Sequence, residues 1–136
     1  MITAALANWL SLNSGAASIY PSAAPQGCAM PVLVFDKVGD STDRQWSNGT
    51  LQRGTTRSEF EITIWADKAN GGQLACGNEI NSLITALDNF SGPWIDPSSP
   101  NVTHRILLIE ADDNGWEYNP EEKRYSASLF LTITHT

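Results

Sequence analysis

The stretch TRSEFEITIWAD, Thr56 to Asp67, decides the architecture. Strand side chains alternate between two faces, so Ser58, Phe60, Ile62, Ile64 and Ala66 point one way while Arg57, Glu59, Glu61, Thr63 and Trp65 point the other. One face is apolar and the other polar, the pattern of a strand with one side on a core. A Gly-containing turn follows at once. Beyond it Leu74, Ile80, Leu83, Ile84, Leu87 and Phe90 fit one face of a helix far better than a strand. A half-buried strand is thus followed by a helix able to cover its apolar side, and nothing on this unit carries a catalytic pattern.

Working outward, Thr3 to Leu12 reads as a short opening helix, with Thr3 placed as its N-cap and Ile2, Leu6, Trp9 and Leu10 at helical spacing. Asn13-Ser14-Gly15 ends it, because Asn and Gly tolerate the left-handed conformation of a helix stop. Ile19-Tyr20-Pro21 is a brief extended piece, and Pro25 and Pro31 forbid a helix between them. Val32 to Val38 is β-branched and apolar enough for a strand closed by Gly39-Asp40. His104 to Ala111 is a further strand, apolar on both faces from Ile106 to Ile109, which suits a central position. Arg124 to His135 is the last, with Tyr125, Ala127, Leu129, Leu131 and Ile133 on one side and Ser126, Ser128, Thr132 and Thr134 on the other.

Three long polar stretches remain: Gly39 to Thr55 with Trp46, Ser91 to Asn101 with Trp94, and Asp112 to Lys123 with Trp116 and Tyr118. Each reads as a loop, and loops of such length in compact domains are usually functional or disordered. The expected fold is α+β: an antiparallel or mixed four-stranded sheet with two helices packed on one face and long loops, forming one domain over residues 1–136.

A chain of 136 residues can bury a core without covalent staples, and 41% apolar with 17% charged residues is ordinary for a folded protein. The net charge is 8 − 15 = −7, with the acids dispersed, which argues against a free-standing nucleic-acid or anionic-membrane binder. Cys28 and Cys76 are too few for a disulfide framework and read as two buried thiols of a reducing compartment, with a single bridge as the alternative. No run of about 18 apolar residues exists to span a bilayer, and Met1 to Ala7 lacks the basic start of a signal peptide; a cytoplasmic product is expected.

Candidate chemistry is sparse. His104 and His135 have no Cys or second His at ligand spacing, so no zinc site is expected. Glu110, Asp112 and Asp113 bunch at a strand end but lack the register of a calcium loop. Gly71-Gly72 opens a helix after a strand without the remainder of a phosphate-binding motif. No Gly-x-Ser-x-Gly elbow is present. Glu59 and Glu61 stand two apart on a polar strand face and could form an acid pair; a solvated surface is the simpler reading. No metal, no cofactor and no enzymatic activity are expected, with a small hydrolase on these acids as the alternative.

The aromatic residues stand out instead. Trp9 and Trp65 belong to regular elements, but Trp46, Trp94 and Trp116, with Tyr118, sit in the expected loops, which run over surfaces. Each could fold back as a lid on the core; three such loops together favour contact with another chain, since Trp and Tyr are enriched at interface hot spots.

The opening helix, Ile19-Tyr20-Pro21 with Ala23-Ala24-Pro25 and Pro31, the strand ending Thr63-Ile64-Trp65-Ala66-Asp67 that runs into a long helix, and the closing Tyr125-Ser126-Ala127-Ser128-Leu129-Phe130-Leu131-Thr132-Ile133 form a familiar order. Together they resemble the tail terminator (tail completion, or tail-to-head joining) proteins of long-tailed bacteriophages over nearly the whole chain. The resemblance implies a subunit of a hexameric ring in the virion tail, assembled in the host cytoplasm. Such a ring caps the last ring of the major tail tube protein, stops elongation and docks to a neck or head-completion protein. DNA passes through its lumen without specific binding, and carboxylates lining that lumen would repel phosphates. Glu59, Glu61, Glu110, Asp112 and Asp113 are the candidate lumen-facing acids. The Trp-bearing loops are where the chain departs from the family, and the structural alternative is another neck or head-completion ring protein.

Overall fold

The computed structural model describes residues 2–16, 18–23, 30–47, 50–67, 72–95, 103–121 and 123–136, with the backbone alone described over 43–47 and 50–53. The chain order is α1 (Ile2–Asn13), β1 (Ser18–Pro21), β2 (Val32–Ser47), β3 (Thr50–Asp67), α2 (Gly72–Leu87), β4 (Gly92–Ile95), β5 (Thr103–Asn119) and β6 (Arg124–His135). The alternation at Thr56–Asp67 is realised in β3: Ser58, Phe60, Ile62, Ile64 and Ala66 are fully buried, whereas Arg57 and Glu59 are exposed and Glu61, Thr63 and Trp65 half-buried.

The sheet is larger than the expected four strands. It has six, in the order β1-β2-β3-β6-β5-β4, curled into a half-barrel. Only β1 and β2 run parallel; the other pairs are antiparallel. Two physical causes separate pattern from outcome. Both edge strands are four residues long, too short to show a period, and each is defined by its pairing: Ser18–Pro21 with Val32–Phe35, and Gly92–Ile95 with Thr103–Ile106. The polar stretches read as loops after Gly39 and after Asp112 are continuations of strands. Backbone pairing carries β2 and β3 out to Ser47 opposite Thr50, and β5 down to Asn119 opposite Arg124. From Asp112 to Tyr118 neither face of β5 is buried, so no hydrophobic alternation marks that part of the ladder.

Cross-strand neighbours on one face of the sheet build the core. Leu33, Ile64 and Ala127 form one row, Phe35, Ile62 and Leu129 the next, then Phe60, Leu131 and Ala111. The apolar run of β5 behaves differently from a central strand. A bulge between Ile106 and Leu108 turns both Ile106 and Ile109 inward and leaves Leu107 and Leu108 partly exposed, because β5 is second from the sheet edge.

Both helices feed this one core. In α2 the buried stripe is Gly72, Cys76, Ile80, Leu83 and Leu87; Leu74, expected on it, is 72% exposed, because Cys76 occupies that position of the stripe. Gly72 has φ +55°, and a Cβ there would lie 3.3 Å from the Tyr125 ring, so the strand-to-helix turn requires glycine. Helix α1 buries Ile2, Ala5, Leu6 and Leu10 and touches both edge strands, β1 and β4, so it bridges the open seam of the curl. Thr3 does not cap it: the helix starts one residue earlier, and the Thr3 hydroxyl is buried without a hydrogen-bond partner. Nor does a left-handed residue stop it, as neither Asn13 nor Gly15 has positive φ. Glu79 of α2 instead accepts the Gly15 N–H at 2.8 Å and the Ser14 hydroxyl at 3.1 Å, tying the two helices together. Among the described residues no helix is long and apolar enough to cross a membrane.

Candidate functional site

With both helices on the apolar side, no described element forms a layer over the other face of the sheet. Strand register decides which side chains meet on it. Glu59 of β3 lies opposite Thr132 of β6, which lies opposite Glu110 of β5. One row along, Asp36, Glu61, Phe130 and Asp112 run across β2, β3, β6 and β5. Four of the five acids singled out from the sequence therefore share one surface, although they come from strands 50 residues apart. Asp113 faces the opposite side, in register with the core residue Leu129. Asp36 and Glu117 join the set; register alone reveals them, since neither belongs to an acidic motif. Glu61, Thr63, Trp65, Glu117, Ser126 and Ser128 line a shallow concavity of about 220 Å³ on this face. Among the described side chains, basic residues on this face stand toward its ends, Arg57 opposite Thr134 and Arg124 opposite Asp67. With strands about 4.8 Å apart, Glu59 and Glu110 are separated by about 10 Å, close to a Debye length at physiological salt. Their fields add, and the middle of the face repels anions.

The aromatic residues divide. Trp94 is 4% exposed in β4, stacked on Trp9 at 6.0 Å and beside Phe90 at 5.7 Å. It is a core lid that joins α1 to the sheet edge and presents no surface for a partner. Trp116 is 56% and Tyr118 45% exposed near the β5–β6 turn, with Tyr118 against Tyr125 at 4.7 Å. The backbone of Trp46 pairs with Leu51 in the β2–β3 hairpin; its side chain lies outside the described residues, as do Cys28, Pro25 and Gly71. Cys76 is a buried free thiol, its Sγ 3.4 Å from the Tyr125 carbonyl, and burial pushes its pKa up.

A polar constellation, buried at Ser58 and His135 and open to solvent at Asp40 and Lys37, was invisible in the sequence. Ser58 Oγ donates to Asp40 Oδ1 at 2.6 Å and lies 3.0 Å from His135 Nε2, which then carries the proton toward it. The His104 ring meets His135 edge-on at 5.7 Å, and Lys37 pairs with Asp40. Ser58 and His135 are 77 positions apart and are joined only by the β3–β6 ladder. Burial lowers the His135 pKa, helped by the charges of His104 and Lys37 against the opposing pull of the Thr136 backbone and Asp40. Desolvation pushes the Asp40 pKa up, but hydrogen bonds from Lys37 and Ser58 outweigh it and hold the carboxyl below its ordinary value. The residue types match a catalytic triad, but their order does not. The carboxylate binds the serine proton and not the imidazole, and Ser58 is sealed from solvent. Among the described residues no three His, Cys, Asp or Glu side chains gather as a metal-holding group.

Comparison with protein-family models and with curated proteins finds no match.

Proposed function

We propose that the chain is a structural ring subunit at the head-proximal end of a phage tail, a tail terminator that acts by surface matching and carries out no chemistry. One ring face fits the end of the tail tube, the other the neck, and the genome passes between. The observation that carries this reading is the acidic face, over which no described element lies. A sheet that places Asp36, Glu59, Glu61, Glu110, Asp112 and Glu117 on one side is suited to line a passage along which DNA moves without sticking. The order of elements, the β3 stretch ending TIWAD and the closing YSASLFLTI support it through the resemblance to tail terminators.

Light scattering and electron microscopy of the purified protein, alone and with tail tube protein, test the reading. Rings that bind the tube end and set its length are expected. A protein that stays monomeric in the presence of tube protein and leaves tube length unchanged would overturn it.

A further inference from the structure

The outer edge of β5 is sealed in its upper half and, among the described residues, carries no further strand along its lower half. Strand β4 pairs with Thr103–Ile106. Just past it, Asn89 N–H donates to the Ile109 carbonyl at 2.8 Å, and Asp88 Oδ1 accepts the Ala111 N–H at 3.1 Å. From Asp112 to Tyr118, β6 is the only described strand paired with β5. An open edge is a template for another strand, and proteins usually blunt such edges. Here the fold supplies a plug as far as Ala111; beyond it a bulge between Asp113 and Trp116, where the Gly115 N–H donates to Asp113 Oδ1 at 2.8 Å, interrupts the edge, and from Trp116 to Tyr118 no described element covers it.

We infer that this lower edge, with its exposed Trp116 and Tyr118, docks an extended arginine-bearing segment of a partner protein by strand addition. Between Leu107 and Tyr118 there are four acids, Glu110, Asp112, Asp113 and Glu117, and no Lys, Arg or His. Alternation sets Trp116 and Tyr118 on one side of the added strand and Glu117 on the other. Arginine suits both sides: its guanidinium stacks on an aromatic face and pairs bidentately with a carboxylate, while the backbone completes the ladder. The same edge of a second copy would set acid against acid across the new pair, which disfavours self-association there. Nucleic acid is disfavoured by the same charges. The inference stands apart from ring assembly, since it concerns an edge present in the single subunit.

The test uses the full chain and three capped seven-residue peptides: alternating threonine and arginine, the same with glutamate in place of arginine, and the arginine peptide N-methylated at alternate residues. Binding is measured by titration calorimetry at low and high salt. The arginine peptide should bind, more weakly as salt rises. The glutamate peptide should not, and N-methylation should abolish binding because it removes the ladder donors. Trp116→Ala, at an exposed position, should weaken binding about tenfold while leaving thermal stability unchanged. Failure of the arginine peptide to bind at millimolar concentration would overturn the proposal. So would equal binding of the N-methylated peptide, or indifference to Trp116→Ala. None of these results bears on whether the chain forms rings with tube protein.

Discussion

The Asp88 carboxylate, one residue beyond the end of α2, accepts the backbone N–H of Ala111 on the neighbouring strand at 3.1 Å. A helix end therefore closes a strand edge. Asn89, in the left-handed conformation at φ 63°, turns the chain so that its own N–H reaches the Ile109 carbonyl. Asp88→Ala leaves a partly buried donor without its acceptor and should cost about 1–2 kcal/mol. Asp88→Asn keeps an oxygen and should cost less. Urea unfolding checks both. Equal stability of the alanine variant and the parent would show that the contact does not seal the edge.

Trp94 and Trp116 test the division between core and surface. Trp94 fills the space between α1 and β4, so Trp94→Ala should lose about 3–5 kcal/mol. Trp116→Ala should change stability by no more than about 0.5 kcal/mol, because the ring is largely in solvent. Thermal melts of the two variants give the comparison directly. Similar losses in both would mean that Trp116 packs as a second lid.

The contrast shows what a sequence displays. The β3 alternation, the β6 alternation and the Ile80–Leu83–Leu87 stripe are legible because one face of each element meets the core and the other meets water. The hairpin extensions are illegible for the converse reason: at Asp112 to Tyr118 both faces are exposed, and the ladder is held by backbone groups common to every residue. Strands β1 and β4 depend on partners elsewhere in the chain. The acidic face is half legible. Glu59 and Glu61 follow from local alternation, whereas Asp36 and Glu117 join them only through register. The Ser58–His135 contact depends wholly on long-range pairing, and no local signal could have found it.

His135 predicts a pH dependence. Burial depresses its pKa in the folded state, so the unfolded chain takes up the proton more readily. Stability from this group is present above the ordinary histidine value of about 6.5 and is lost as pH falls through it, until the folded pKa is passed. Asp40, also held below its ordinary value, contributes above the carboxylate range and loses its share only in stronger acid, so the two windows are separate. Chemical denaturation from about pH 7 down to about pH 5 should show falling stability. His135→Gln, which keeps a donor toward Ser58, should flatten the profile. An unchanged slope in that variant would assign the pH dependence elsewhere.

The acidic face should store repulsion that the single subunit does not need. Asp36 and Glu61 are directly opposite on adjacent antiparallel strands, and like charges so placed are destabilising by about 0.2–1 kcal/mol. Glu61→Gln should therefore raise the melting temperature, and Glu61→Lys, facing Asp36 on one side and Phe130 on the other, should raise it further. The gain should shrink as salt is added, because these groups are at least partly in solvent. If the face lines a DNA passage, the lysine variant gains stability while losing the passage: it should retain DNA on a binding assay at low salt where the parent does not. A lysine variant that is more stable and still ignores DNA would place this face away from any lumen, and a variant with no gain in stability would mean that Asp36 and Glu61 do not feel each other.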